Sequence, residues 1–129
     1  MLDSRNKPIN TYVTQVSRLH NGDIAVATSG YGIMTKKIDA NACYTMKGEV
    51  ENLKYIHKIL EDKQERLWII LENGKLLRKE KNGKLVSRIM GTEQLNTQDI
   101  RQDDKGNIYL ATKNDGVYLL KQVQPPSPR

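Results

Sequence analysis

The side chains that could do chemistry are few and scattered. His20 and His57 are the only histidines in the 129 residues, and Cys43 is the only cysteine. Acid-base or metal chemistry needs such groups gathered with carboxylates or with one another. Neither histidine has a partner at zinc-ligand spacing, and their local sequences differ. Both read as exposed or edge histidines. No Gly-rich phosphate loop follows a strand and opens a helix. Asp62, Asp103 and Asp104 read as turn acceptors for nearby backbone N–H groups, not as acid-base pairs. One cysteine allows no internal disulfide. No catalytic residue, metal or cofactor is expected.

What remains is recognition chemistry. Tyr31 is the candidate stacking residue, and Asn73, Asn114 and Asp115 are the candidate polar contacts. Lys75, Arg78, Lys79, Lys81 and Lys84 form a basic hairpin that could meet an acidic glycan or an acidic partner. The plainer reading is turn residues and a solvated edge, where Lys also discourages edge-to-edge pairing.

The elements that must position these groups come from a stretch written three times. Val16, Ile59 and Ile100 correspond, as do Gly22, Glu65 and Gly106, Ile24, Leu67 and Ile108, and Thr28, Leu71 and Thr112. The copies are 43 and then 41 residues apart. Several short strands per unit of that length predict an all-β fold, a β-propeller segment of about three four-stranded antiparallel blades. Residues 1–11 are a lead-in loop and 124–129 a Pro-rich tail. Blades occupy 12–53, 54–95 and 96–123, and the last lacks a fourth strand.

Ile24 to Thr28 and Leu67 to Leu71 are apolar on both sides, as strands buried on two faces are. Leu53, Ile56 and Leu60 fall at helical spacing, but the β-prone residues at the same positions of the other copies decide for a strand. Asn82-Gly83 between two such runs signals a hairpin. Trp68 and Tyr109 hold equivalent positions and read as core or inter-blade packing rather than a sugar platform. The turns at Ser29–Tyr31, Glu72–Asn73 and Lys113–Asp115 should share one end of the fold with the connections 47–52 and 91–96.

The chain carries 21 basic and 15 acidic residues, a formal charge of +6, without a concentrated basic face. Nucleic acid is therefore not an expected partner. No apolar run reaches the length of a membrane helix, and the first residues lack an apolar signal core.

The third copy resembles the two-component regulator propeller repeat, V-x-x-I-x-x-D-x-x-G-x-L-W-x-x-T-x-x-G-L-Y, through Ile100, Asp103, Gly106, Ile108, Tyr109, Thr112, Gly116, Val117 and Tyr118. The second copy matches at Ile56, Ile59, Asp62, Leu67, Trp68 and Gly74, and departs at Glu65 and Leu71. The first matches at Val13, Val16, Gly22, Ile24, Thr28 and Gly32, with Leu19 in place of Asp and Ala25 in place of Trp.

The resemblance implies a non-catalytic sensing module from the periplasmic region of a membrane-anchored two-component sensor that responds to oligosaccharide. The kinase would lie outside this chain, which is expected to be a fragment. A chain standing alone would be cytoplasmic. Three blades leave the outer faces of the first and last uncovered. Self-association, or the remaining blades of a larger protein, would cover them, and two arcs joined head to tail could close a ring. The alternatives are a propeller-fold enzyme of lyase type, which would need a pore-lining His with metal-binding carboxylates, and a self-associating structural module without ligand.

Overall fold

The structure, a computed structural model, describes residues 11–121. The expected lead-in, apart from Thr11, and the Pro-rich tail lie outside the described residues. Among the described residues eleven strands form three antiparallel sheets. Blade one is β1 (Tyr12–Arg18), β2 (Ile24–Ser29), β3 (Ile33–Lys36) and β4 (Cys43–Thr45). Blade two is β5 (Ile56–Glu61), β6 (Leu67–Leu71), β7 (Leu76–Lys79) and the two-residue β8 (Leu85–Val86). Blade three is β9 (Thr97–Gln102), β10 (Ile108–Thr112) and β11 (Val117–Leu120), with no fourth strand among the described residues. Each is a meander, so short turns suffice to connect it. The stretch with helical spacing is strand β5, and the helical content there is one 3-10 turn at Glu49–Asn52.

The first strands β1, β5 and β9 lie side by side, and each carries a register shift at the same repeat position, Thr14, His57 and Gln98. Polar side chains join the first two. Thr14 Oγ1 donates to Ile56 O at 2.8 Å, and the Gln15 amide both donates to Ile59 O and accepts from Ile59 N–H.

Strand alternation sends each blade's apolar residues to two seams. Ala25, Ala27 and Ile33 of blade one meet Ile56, Ile59, Leu67, Ile69 and Leu77 of blade two, with Val50 of the 3-10 turn in the same cluster. On the other face, Trp68, Ile70 and Leu76 meet Ile100, Ile108 and Leu110 of blade three. Burying one such aliphatic side chain contributes about 1.5–3 kcal/mol, against about 0–1 kcal/mol for an exposed ion pair. The seams, not the surface charges, hold the blades together.

Trp68 is 1% exposed, as expected for inter-blade packing, whereas Tyr109 is 38% exposed. The two sit at one repeat position, and the difference is that no blade follows Tyr109 among the described residues.

Candidate functional site

Each turn between a second and a third strand closes by the same backbone bond: Thr28, Leu71 and Thr112 N–H donate to Gly32, Lys75 and Gly116 O. In blades one and three the Thr hydroxyl reinforces it. Thr28 Oγ1 donates to Gly32 O at 2.8 Å and accepts from Tyr31 N–H at 3.1 Å. Thr112 Oγ1 does the same with Gly116 O and Asp115 N–H. Blade two has Leu71 there, and Asn73 Oδ1 takes over by accepting from Lys75 N–H at 3.0 Å. Its glycine also stands one place earlier, at Gly74, so Lys75 occupies the place of Gly32 and Gly116.

These turns grip the connections between blades. Gly30 and Gly32 N–H both donate to Lys54 O, at 2.8 and 2.9 Å, and Thr97 N–H donates to Gly74 O at 3.0 Å. Turns and connections therefore share one end, as expected. Two clefts open there, and Asn73 lines both. One, of about 500 Å³, lies against Leu53, Lys54, Tyr55, Leu71 and Glu72. The other, of about 330 Å³, lies against Lys75, Ser87, Arg88, Thr92 and Glu93.

Among the residues singled out from sequence, Asn73 and Lys75 come together. Tyr31 is 58% exposed on the blade-one turn, and Asn114 and Asp115 are exposed on the blade-three turn. None of the three lines either cleft. Tyr55 and Arg88 were not singled out. Tyr55 looks like a strand lead-in, yet it is 58% exposed and lines the same cleft as Asn73. Arg88 follows an outer strand too short to show a period.

The basic hairpin does not present its charges together. Lys75 lies at the cleft end, whereas Lys81 and Lys84 flank the turn at the other end of β7. Arg78 is half-buried, with its guanidinium 5.1 Å from the Trp68 ring centroid and its Nε donating to Glu80. Lys81 Nζ sits 2.7 Å from Glu65 Oε2, which holds the carboxyl below its usual range and the ammonium above its own. Lys79 is half-buried on β7.

Asp62 and Asp103 are turn acceptors, as read from sequence. Asp62 Oδ1 accepts from Gln64 and Arg66 N–H, and Asp103 Oδ1 from Lys105 and Asn107 N–H, all at 2.9 Å. Asp104 contributes its carbonyl instead, accepting from Lys63 Nζ at 2.6 Å. Burial works against ionisation of Asp103, but bonds from Asn107, Tyr109 and Lys105 outweigh it and hold its carboxyl below the usual range. The Tyr109 phenol is raised by donating to that carboxylate. Burial pushes the Cys43 thiol up.

His20 Nδ1 lies 3.8 Å from Glu61 Oε1, and His57 is half-buried at the β5 register shift. Among the described residues no group of three or more His, Cys, Asp or Glu side chains is placed to hold a metal. No helix of the described residues is long and apolar enough to cross a membrane.

No protein-family model matches the chain, and no characterised protein matches its sequence. Solved structures match its fold. A catalytically inactive virginiamycin B lyase from Staphylococcus aureus with quinupristin aligns with a TM-score of 0.57 at 14% identity, over 90% of this chain and 43% of that one. A selenomethionine-substituted structure of the same lyase gives 0.59 at 14% identity, over 90% and 43%. A streptogramin B lyase gives 0.60 at 12% identity, over 88% and 42%. At these identities the likeness is one of fold: the chain is a β-propeller segment of three antiparallel blades, the third with three strands among the described residues. It spans about two fifths of the length of the structures it matches.

Proposed function

We propose that the chain is a non-catalytic recognition module, a segment of the periplasmic sensor region of a two-component protein, and that it binds an oligosaccharide at the end of the blades around Asn73. The carrying observation is the meeting of Tyr55 and Asn73 in one open cleft, with Lys75 and Arg88 in the cleft on the other side of Asn73. An exposed aromatic face beside an amide suits a sugar ring, whose C–H face stacks while its hydroxyls take hydrogen bonds. The signalling role rests on the repeat resemblance.

Calorimetric titration with neutral and uronate-containing oligosaccharides tests the reading. Saturable binding is expected, weakened about tenfold by Tyr55→Ala or Asn73→Ala, the loss of roughly one good contact. For uronates, Lys75→Gln and Arg88→Gln should weaken binding and flatten its salt dependence, whereas Lys81→Gln and Lys84→Gln should leave both unchanged. Binding that ignores Asn73 and Tyr55, or no binding across the panel, would discard the site.

A further inference from the structure

Each seam between blades carries a polar latch as well as apolar packing. The last residue of a blade's first strand reaches back to the preceding blade. Glu61 Oε1 accepts from His20 N–H at 2.7 Å, and Gln102 Oε1 accepts from Lys63 N–H at 3.0 Å. Glu61 and Gln102 share a repeat position, as do His20 and Lys63. The next member of the second series is Asp104, which is exposed.

Two further features of blade three follow the same logic. Leu76 is 4% exposed in the seam with blade three, while Val117 at its repeat position is 71% exposed. Gly32 and Gly116 share a repeat position and a left-handed backbone, φ 73° and 72°. A Cβ on Gly32 would stand 2.1 Å from Leu53 O of the following connection, whereas around Gly116 nothing lies within 4 Å. So blade three keeps the glycine of blade one, the apolar residue that blade two buries at Leu76 and, at exposed Asp104, the position whose N–H both predecessors use to hold the next blade.

We infer that the open face of blade three, from Asp104 through Tyr109 to Val117, is a docking face for a further blade of this same repeat, recognised by a Glu or Gln at the end of its first strand. The face continues the two seams already present in the chain. Blade one of a second copy is the wrong occupant. It has Arg18 at the latch position, which offers no acceptor. Its outward cluster of Val26, Met34 and Cys43 is also already buried. The head-to-tail ring is therefore not the arrangement this face fits. The inference rests on the repeat geometry and is independent of any sugar binding.

The register supplies the test, since Leu120 of β11 occupies the repeat position of Lys79. Residues 80–121 repeated after Leu120 give blade three an outer strand and then the first three strands of a following blade. Hydrogen exchange on this extended chain should show the Asp104 amide slowed by about tenfold or more relative to the original chain, with a higher melting temperature. Gln102→Arg in the appended copy alone should return the Asp104 amide to its original rate while the Tyr109 ring stays shielded from solvent. Unchanged Asp104 exchange, or an extended chain less stable than the original, overturns the inference. So does an original chain that self-associates with Asp104 protected, because the occupant would then be a second copy.

Discussion

The indole N–H of Trp68 donates to Asp62 Oδ2 at 2.8 Å inside the seam between blades two and three. The same oxygen accepts from Arg66 Nε at 2.7 Å, and Asp62 is fully buried. One carboxylate thus closes a turn through its other oxygen and fixes the largest core side chain.

Asp62→Ala leaves a buried indole N–H and two turn N–H groups without their acceptor, and takes from the Arg66 guanidinium its carboxylate partner. The expected loss is about 3 kcal/mol, set by breaking a buried charged pair. Asp103→Ala, at the same repeat position but with its indole counterpart replaced by an exposed tyrosine, should cost far less. Urea unfolding followed by the single tryptophan measures both. Equal losses would show that burial in the seam does not set the energetics of this turn.

Glu65 stands at φ 62° where Gly22 and Gly106 stand at 94° and 90° in the other blades. Left-handed backbone is strained for a side chain with a Cβ. Glu65→Gly should raise the urea midpoint by about 0.5 M, since the lost ion pair with Lys81 is exposed and weak. Glu65→Ala loses the pair and keeps the strain, so its midpoint should not rise. A lower midpoint for the glycine variant would mean the Lys81 contact outweighs the backbone.

Much of this fold was legible because the repeat outvotes local ambiguity. Leu53, Ile56 and Leu60 have helical spacing, but the equivalent stretches of the other copies, 13–16 and 97–100, are β-prone. Burial was harder to see. Tyr109 and Trp68 are the same position in sequence terms, and only the absence of a following blade among the described residues separates them. The site was less legible still. Asn73 was readable as a turn residue, but Tyr55 and Arg88 reach it from connections whose paths no local pattern dictates. The latch at Glu61 and Gln102 was hidden because its partner is a backbone N–H, which leaves no trace in residue type.

Gly32→Ala and Gly116→Ala separate backbone strain from the contact between blades. The two positions share a left-handed φ, so each substitution carries about 1–2 kcal/mol of strain. At Gly32 the new methyl also meets Leu53 O, backbone that cannot yield without moving the connection. The first variant should therefore lose several kcal/mol more than the second. Paired denaturation curves check this, and equal losses would mean that the connection is free to shift.

The Asp103–Tyr109 bond should make stability depend on pH in a defined sense. The Asp103 carboxyl is lowered, so its contribution is complete above the ordinary carboxylate value and is lost as pH falls through the lower folded value. The Tyr109 phenol is raised, so its contribution is complete below the ordinary phenol value and is lost as pH rises through the higher folded one. The bond at 3.0 Å thus acts across the whole interval between the two. Tyr109→Phe should cost stability inside that interval and converge with the unaltered chain at both extremes. In an ultraviolet titration one of the six tyrosines should ionise later than its free value, and that late step should vanish in Tyr109→Phe. A late step that survives the substitution would assign it to another tyrosine and remove the bond as its cause.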